Sequence, residues 1–192
     1  MPGPKRVVDA EVMRTALLDA AAQLLHEAGP GALSVRRLAA DVGTSTQAIY
    51  TQFGGKPGIV AALYREGFTR LETAMRDVDA SDDPVERLRA LGRAYRVAAL
   101  ENPHFYDVMF GRAVAGFECD DDDRAHGLRS FVLLVDAVQL ALDAGRLRGR
   151  ADEIAAHLWI CVHGHTSLEL HGYAGDLDYE ATLAASLAPF VG

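Results

Sequence analysis

Four side chains able to bind a transition metal recur at four-residue steps near the end of the sequence: His157, Cys161, His165 and Glu169. Imidazole, thiolate and carboxylate groups are common protein ligands of such metals. On a helix, each four-residue step rotates the side chain by about 40°, so all four cannot reach one ion. A metal would need further ligands, such as the acidic residues 120–123 or another subunit. Hydrogen bonding is the simpler interpretation, and we expect neither a metal nor a cofactor.

Catalytic motifs are not found in the sequence. It contains no GxSxG elbow, phosphate-binding loop, dinucleotide fingerprint or HExxH pair. The triplet His163-Gly164-His165 is too short to indicate chemistry. We therefore expect a protein that is not an enzyme. An unrecognised enzyme and a helical ligand-binding protein without a role on DNA are the alternatives.

The segment 35–56, VRRLAADVGTSTQAIYTQFGGK, has the spacing of a helix-turn-helix. Ala39 is small enough for two crossing helices to touch, and Gly43, four residues later, permits a positive φ in the turn. Ile49, six residues further, returns an apolar side chain to the core. This spacing is typical of DNA-binding proteins, although a helical hairpin without DNA can share it.

Helical periodicity and strong breakers place these residues on an all-α chain of about nine helices. Alanine occurs 32 times and strand-favouring residues are sparse. The predicted helices span about 9–28, 34–43, 45–52, 56–78, 84–101, 104–117, 124–144, 152–170 and 178–192. Residues 118–123 are expected to form a loop. The expected N-caps are Ser34, Thr44 or Ser45, Asp83, Asp152 and Asp178. Because Phe131–Leu142 is apolar nearly all round, we expect that helix to be buried on more than one side.

Composition and charge indicate a soluble protein with two different parts. The chain has 49% hydrophobic residues, a net charge of −8 and two cysteines, which exclude a disulfide scaffold. Residues 1–56 carry six basic and five acidic side chains, whereas residues 57–192 carry 13 basic and 22 acidic ones. No secretion signal and no apolar run of about 18 residues is evident, so we expect a cytoplasmic protein.

Two stretches carry a family resemblance. LLDAAAQLLHEAG, followed by LSVRRLAADVGTSTQAIYTQFGGKPGIV with its ending Ala-Ile-Tyr-x-x-Phe-x-x-Lys, resembles the TetR family of bacterial transcriptional regulators. In LWICVHGHTSLEL, Trp159 with His163-Gly164 is similar to a TetR C-terminal subgroup named for its Trp-His-Gly motif. The resemblance implies a helix-turn-helix DNA-binding domain over 1–55 and a helical ligand-sensing and dimerisation domain over 56–192.

For DNA, the resemblance implies that the third helix enters the major groove and that its first turn faces base edges. Thr46, Gln47 and Arg36 match base-reading positions of the family, and Gln47 suits a bidentate pair with adenine. The matching or plausible phosphate contacts are Tyr50, Lys56, Ser45, Thr51 and Gln52. Lys5 and Arg6 are candidates for an arm along the DNA backbone, or for a frayed terminus. Arg36 as a solvent-facing residue and Tyr50 as partly core are the alternatives.

For the larger domain, the resemblance implies a dimer interface on the last two long helices and a ligand pocket before them. The candidate interface residues are Leu158, Val162, Leu183, Leu187 and Phe190, with packing in a monomer core as the alternative. The candidate ligand contacts are Tyr95, Phe105, Tyr106, Met109, Phe110, Phe131, Trp159 and His163, joined by Phe117, His104 and Arg112. Plain core packing is the alternative for each. The function implied is a repressor that binds a near-palindromic operator as a homodimer and changes its DNA affinity when a small molecule binds.

Overall fold

The computed structural model describes residues 4–79, 81–111 and 117–192. Over these residues the chain forms nine helices and one isolated antiparallel bridge between Leu147 and Val191. The helices are α1 (Pro4–Ala28), α2 (Val35–Val42), α3 (Thr46–Phe53), α4 (Lys56–Arg76), α5 (Pro84–Glu101), α6 (Pro103–Phe110), α7 (Asp121–Asp143), α8 (Ala151–Leu170) and α9 (Tyr179–Leu187). The all-α fold class is confirmed.

Side-chain caps explain where several helices begin. The side-chain oxygens of four predicted cap residues accept backbone N–H groups of the first turn: Ser34, Ser45, Asp83 and Asp178. Ser45 rather than Thr44 therefore caps α3. The expected cap at Asp152 is wrong, because α8 begins one residue earlier, after Arg150. Asp152 instead pairs with the Arg150 guanidinium at 2.7 Å.

Further helix boundaries differ from the prediction, and α1 begins at Pro4 rather than near residue 9. The expected loop at 118–123 is wrong over its last three residues, because Asp120 and Asp123 each accept the other's backbone N–H and so start α7 at Asp121. The negative charges of the aspartates in the first turn also interact favourably with the positive end of the helix dipole of α7. Helix α6 ends at Phe110, and the predicted continuation over residues 112–116 lies outside the described residues. Helix α9 ends at Leu187, where the chain turns into the bridge.

The chain divides into two compact units. The first comprises residues 1–67 and 104–124, and the second comprises residues 68–103 and 125–192. In the first unit, α1 to α4 bury a continuous apolar core to which α6 adds Phe105 and Val108. Its least exposed members are Leu18, Ala21, Leu38, Ile49 and Leu63. The expected division into 1–55 and 56–192 concerns function and stays a prediction.

In the second unit, α5, α8 and α9 pack together around buried aliphatic residues, and partly exposed ion pairs join them at the surface. Arg93 on α5 joins Glu86 of its own helix at 2.6 Å and Glu180 of α9 at 2.8 Å. The Tyr179 hydroxyl donates to the Gly92 carbonyl at 2.5 Å. Burial raises the pKa of Tyr179, so this hydroxyl keeps its proton and α9 stays attached to α5.

Helix α7 is buried on one side only, so the expectation of burial on more than one side is wrong. Ala137, Val138 and Ala141 are at most 3% exposed, whereas Val132 and Leu140 are 51% and 56% exposed. By length and mean hydropathy alone, α7 is the one described helix that could cross a membrane, with 22% of its apolar window buried. The described part of the chain leaves an apolar side of α7 uncovered.

Candidate nucleic-acid interface and sensor residues

The predicted helix-turn-helix is formed by α2, α3 and the turn between them. Gly43 ends α2 with φ 70°, a left-handed conformation that glycine adopts without strain. Ala39 is 5% exposed and Ile49 is fully buried, so both face the core as their spacing predicts. The Thr44 N–H donates to the Ala39 carbonyl at 2.9 Å and fixes the turn. The motif is therefore held by residues that leave the other side of α3 available.

The outward side of α3 carries polar side chains. Gln47 and Gln52 are exposed, whereas Thr46 is half-buried. The Thr51 hydroxyl donates to the Gln47 carbonyl at 2.9 Å, so its proton is already used within the helix. Ser45 accepts the Ala48 N–H at 3.1 Å as a cap and keeps its own O–H for donation.

Tyr50 lies on the surface and not in the core. It is 54% exposed, and its ring edge is so close to Gly55 that a methyl group there would lie 3.3 Å from Cε1. Gly55 has φ 116°, which also favours glycine. The aromatic ring is therefore held on the surface at the end of α3, a position from which its hydroxyl can donate to an anion.

Lys56 is positioned at the first residue of α4. Its ammonium donates to the Pro30 carbonyl at 2.6 Å, which ties α4 to the connection between α1 and α2. An ammonium has three donors, so two remain for another acceptor. The first turn of α4 contains no acidic residue. Backbone N–H groups, the helix dipole and the lysine charge therefore add up to a site that favours a phosphate.

The remaining predicted DNA contacts lie on α2 and α1. Arg36 is exposed, whereas its neighbour Arg37 pairs with Asp41 at 3.7 Å. Lys5 and Arg6 are part of α1, so their backbone is helical rather than an extended arm. Sequence reasoning missed Arg14, whose guanidinium lies 5.5 Å from the Phe53 ring at the end of α3. No local pattern signals Arg14, because the contact joins residues 39 positions apart in the chain.

Four of the candidate ligand contacts belong to the first unit. Phe105 and Tyr106 are buried, and the Tyr106 and Phe110 rings lie 4.9 Å apart. Met109 packs so closely on Gly67 that a methyl group there would lie 2.6 Å from its sulfur. Phe105 therefore packs in the core that also holds α1 to α4, and Met109 packs against α4. Phe117 lies 6.0 Å from the Tyr64 ring in the same unit, and Arg112 lies outside the described residues.

The other four candidates form one continuous cluster in the second unit. The Tyr95 hydroxyl lies 2.9 Å from His163 Nδ1, and the rings of His163 and Trp159 are 5.7 Å apart. Phe131 of α7 completes the cluster at 6.0 Å from Trp159. Burial lowers the pKa of His163, so the imidazole is neutral at pH 7 and shares a neutral hydrogen bond with the Tyr95 hydroxyl. The cluster thus combines three aromatic rings with an uncharged polar pair.

Four of the five candidate interface residues lie inside the chain's own core. Leu158, Val162, Leu183 and Leu187 are at most 6% exposed, because α8 packs closely on α9 and α5. Phe190 is half-buried with its ring 5.2 Å from that of His157. Core packing therefore accounts for these side chains. The outward side of α8 instead carries Ile160 and Leu168, which are 64% and 45% exposed.

The His157–Glu169 stripe is divided among different partners. His165 lies 2.9 Å from the Thr182 hydroxyl, and Glu169 is paired with Arg96. The Cys161 Sγ atom lies 3.7 Å from His157 Nε2, a distance that is compatible with a hydrogen bond to sulfur. Among the described residues, no three histidine, cysteine or acidic side chains group as ligands for one metal ion.

Comparison with known proteins agrees with the class that the fold and the motif define, an all-α regulator with an N-terminal helix-turn-helix. The profile of bacterial regulatory proteins of the tetR family matches residues 17–63. The profile of the tetracyclin repressor-like C-terminal domain matches residues 88–189. The chain belongs to the TetR family. Its resemblance to the Trp-His-Gly subgroup stays a prediction.

Individual relatives are distant. An HTH-type transcriptional regulator of Mycobacterium tuberculosis is 24% identical over 156 residues, which cover 79% of this chain and 66% of the relative. The match thus spans just under two thirds of that relative's length. A protein of unknown function from Rhodococcus sp. RHA1 has a TM-score of 0.79 and 26% identity, with coverage of 94% of this chain and 96% of that chain. The TetR family transcriptional regulator PfmR from Thermus thermophilus shares the fold, with a TM-score of 0.67 and 22% identity over 90% of this chain and 93% of its own.

Proposed function

We propose that the protein is a cytoplasmic transcriptional repressor that binds a near-palindromic operator as a homodimer and changes its DNA affinity when a small molecule binds. The observation that carries the proposal is the α2–Gly43–α3 motif, whose apolar residues face the core while Gln47 faces solvent. Membership of a family of regulators supports the same assignment and makes an enzyme the weaker interpretation.

In the proposed complex, α3 lies in the major groove. Thr46 and Gln47 read base edges, and Arg36 reads a guanine from α2. Tyr50, Lys56, Ser45 and Gln52 hold phosphates. We give Thr51 a weaker role than the resemblance implies, because its hydroxyl proton is used by the Gln47 carbonyl.

A homodimer is proposed because one subunit offers few basic contacts. Residues 1–56 carry only one more basic than acidic side chain, and the remainder of the chain is acidic. Two subunits on half-sites about one helical turn apart double the number of phosphate contacts. We place the interface on the outward sides of α8 and α9. Ile160 and Leu168 are exposed on α8, and four alanines are exposed on α9: Ala181, Ala184, Ala185 and Ala188.

For the sensor, we propose that Tyr95, Phe131, Trp159 and His163 contact the small molecule. A neutral hydrogen-bonding pair within aromatic rings suits a largely apolar ligand with one polar group. The α6 residues Phe105, Tyr106, Met109 and Phe110 stay predicted contacts. Because Phe105 packs in the same core as α2 and α3, a ligand that displaces it disturbs the DNA-reading motif.

The test is binding to the DNA that flanks the protein's own gene, by gel shift and footprinting at two salt concentrations. We expect a protected near-palindromic site that survives excess competitor DNA. Lys56→Ala should weaken binding to every sequence and reduce the salt dependence by about one counterion per subunit. Sequence-independent binding that disappears at modest salt, in the wild-type protein, would contradict the proposal and favour a helical ligand-binding protein without a role on DNA.

A further inference from the structure

Arg14 lies on α1 at the edge of the core of the first unit, beside the last residue of α3. It is half-buried, and its guanidinium lies 5.5 Å from the centroid of the Phe53 ring. Phe53 is in turn packed against the core that α1 and α3 share. An aromatic ring therefore holds this guanidinium near the C-terminal end of α3.

The positive charge of Arg14 is not neutralised by the described residues, none of which forms an ion pair with it. Other arginines of the same unit have carboxylate partners: Arg37 pairs with Asp41 at 3.7 Å, and Arg65 pairs with Asp123 at 2.5 Å. A guanidinium that stacks on a ring uses its flat face, so the N–H groups along its edges can still donate. Arg14 thus has a fixed position, a full charge and available donors.

The end of α3 at which Arg14 lies is suited to a phosphate and not to a base. In the proposed complex, the first turn of α3 faces base edges, so its C-terminal end lies toward the edge of the groove, where the DNA backbone runs. Phe53 stands between two proposed phosphate contacts in the chain, three residues after Tyr50 and three before Lys56. Arg14 therefore brings a charge from α1 to the part of the surface that already favours phosphate.

We propose that Arg14 binds a phosphate of the DNA backbone and that Phe53 positions its guanidinium for this contact. A guanidinium matches the geometry of a phosphate because it can donate two parallel hydrogen bonds. The inference rests on the DNA complex of the proposed function and adds to it a contact from outside the helix-turn-helix. It also relieves the shortage of charge in residues 1–56, where six basic side chains face five acidic ones.

Arg14→Met tests the contact, because methionine keeps an apolar side chain on the Phe53 ring but removes the charge and the donors. The probe is a duplex of the site protected in the footprint, titrated between about 50 and 200 mM salt. We expect affinity for every sequence to fall on the order of 10-fold at low salt. The slope of log K against log salt should become shallower by about 2 per dimer, one contact in each subunit. Arg14→Lys should keep the slope and lose less affinity, because it retains the charge without the planar fork.

A second measurement identifies the phosphate. Duplexes that carry one neutral methylphosphonate at successive backbone positions should bind the wild-type protein more weakly wherever a charged phosphate is contacted. The Arg14→Met protein should lose this sensitivity at one position in each half-site and keep it at the others. Phe53→Leu should reduce the sensitivity at the same position, because the ring that holds the guanidinium is removed. A residue that only packs on Phe53 would leave the pattern unchanged.

Two further variants keep the test specific. Arg124→Ala is the matched control, because Arg124 is an exposed arginine of the same unit that pairs with Asp121 on α7. It should leave the salt dependence and the methylphosphonate pattern as in the wild type. Arg14→Gln removes the same charge with a polar side chain, so a packing defect caused by methionine does not decide the result. Urea titration shows that each variant is folded.

Folded Arg14→Met and Arg14→Gln proteins with the salt dependence and the methylphosphonate pattern of the wild type would overturn the inference and leave the proposed repressor intact. A wild-type chain that protects no DNA site would overturn both the inference and the proposed function.

Discussion

The α2–α3 motif and the outward sides of α7 and α8 treat their apolar residues in opposite ways. Ala39 and Ile49 are buried within their own unit, whereas Val132 and Ile160 remain more than half exposed. The first region buries its apolar residues within one chain, whereas the second leaves several of them exposed. Exposed polar groups on α3 and exposed apolar groups on α7 and α8 therefore call for different partners, DNA in one case and protein in the other.

Removing a core side chain from each region should give the largest effects. Ile49→Ala and Leu158→Ala should each lower the free energy of unfolding by about 2–5 kcal/mol, since both side chains are almost fully buried. Urea titration measures the loss. Ile49→Ala should abolish operator binding and leave the fluorescence emission of Trp159, the only tryptophan in the sequence, unchanged, whereas Leu158→Ala should shift that emission. If Ile49→Ala and Leu158→Ala changed operator binding and Trp159 emission equally, the two regions would not be structurally independent.

On the DNA side, Gln47→Ala should cost about 1–3 kcal/mol of discrimination per half-site, because a bidentate contact to one base is lost. Binding to a panel of operators substituted at single base pairs measures this. Gln23→Ala is the matched control, since Gln23 is an exposed helical glutamine that bonds Glu27 on α1. If Gln47→Ala weakens all operators equally, the side chain contacts the DNA backbone and not a base.

Alanine substitutions at Gly43 and Gly164 should change the free energy of unfolding in opposite directions and by smaller amounts. Gly43→Ala should destabilise the chain by about 1–2 kcal/mol, because an L side chain is strained in the left-handed region. Gly164→Ala should instead stabilise the isolated chain by about 0.5–1 kcal/mol, since its backbone is helical and the space around it is open. The measurement for Gly164 is made in the Leu168→Asp background, because an aspartate at the proposed interface removes the second copy. Destabilisation by Gly164→Ala in that monomer would mean that the glycine is needed within the chain.

The sequence predicts the structure of the α2–α3 motif better than that of α7 and α8, because the contacts within the motif are local in the chain. Ala39, Gly43 and Ile49 interact within a dozen residues, so their spacing alone predicts the motif. The predicted start of α7 is wrong, although the reciprocal cap between Asp120 and Asp123 is also local. The side of α7 that stays exposed and the pairing of Tyr95 with His163 depend on contacts between distant segments, which helical periodicity does not specify.

The smallest expected effect concerns pH and the interior of the cluster of Tyr95, Phe131, Trp159 and His163. Burial lowers the pKa of His163, so the folded chain resists protonation while the unfolded chain takes up a proton near pH 6.5. The stabilisation from neutral His163 is therefore complete above that pH and is lost as the pH falls through 6.5 toward the lower pKa of the folded state. Urea unfolding followed by Trp159 emission between pH 7.5 and 5 should show this slope, and His163→Gln should reduce it.

Two causes could produce this pH dependence: burial of the His163 imidazole and its hydrogen bond to the Tyr95 hydroxyl. The variant Tyr95→Phe distinguishes them. Tyr95→Phe removes the phenol that lies 2.9 Å from Nδ1 but keeps the ring that buries the imidazole. If burial lowers the pKa, Tyr95→Phe retains the pH dependence and loses only a constant amount of stability, about 1 kcal/mol for a neutral hydrogen bond. A slope that disappears with the hydroxyl would show that the hydrogen bond keeps His163 neutral. In that case a ligand that competes for the phenol would also change the charge of the sensor.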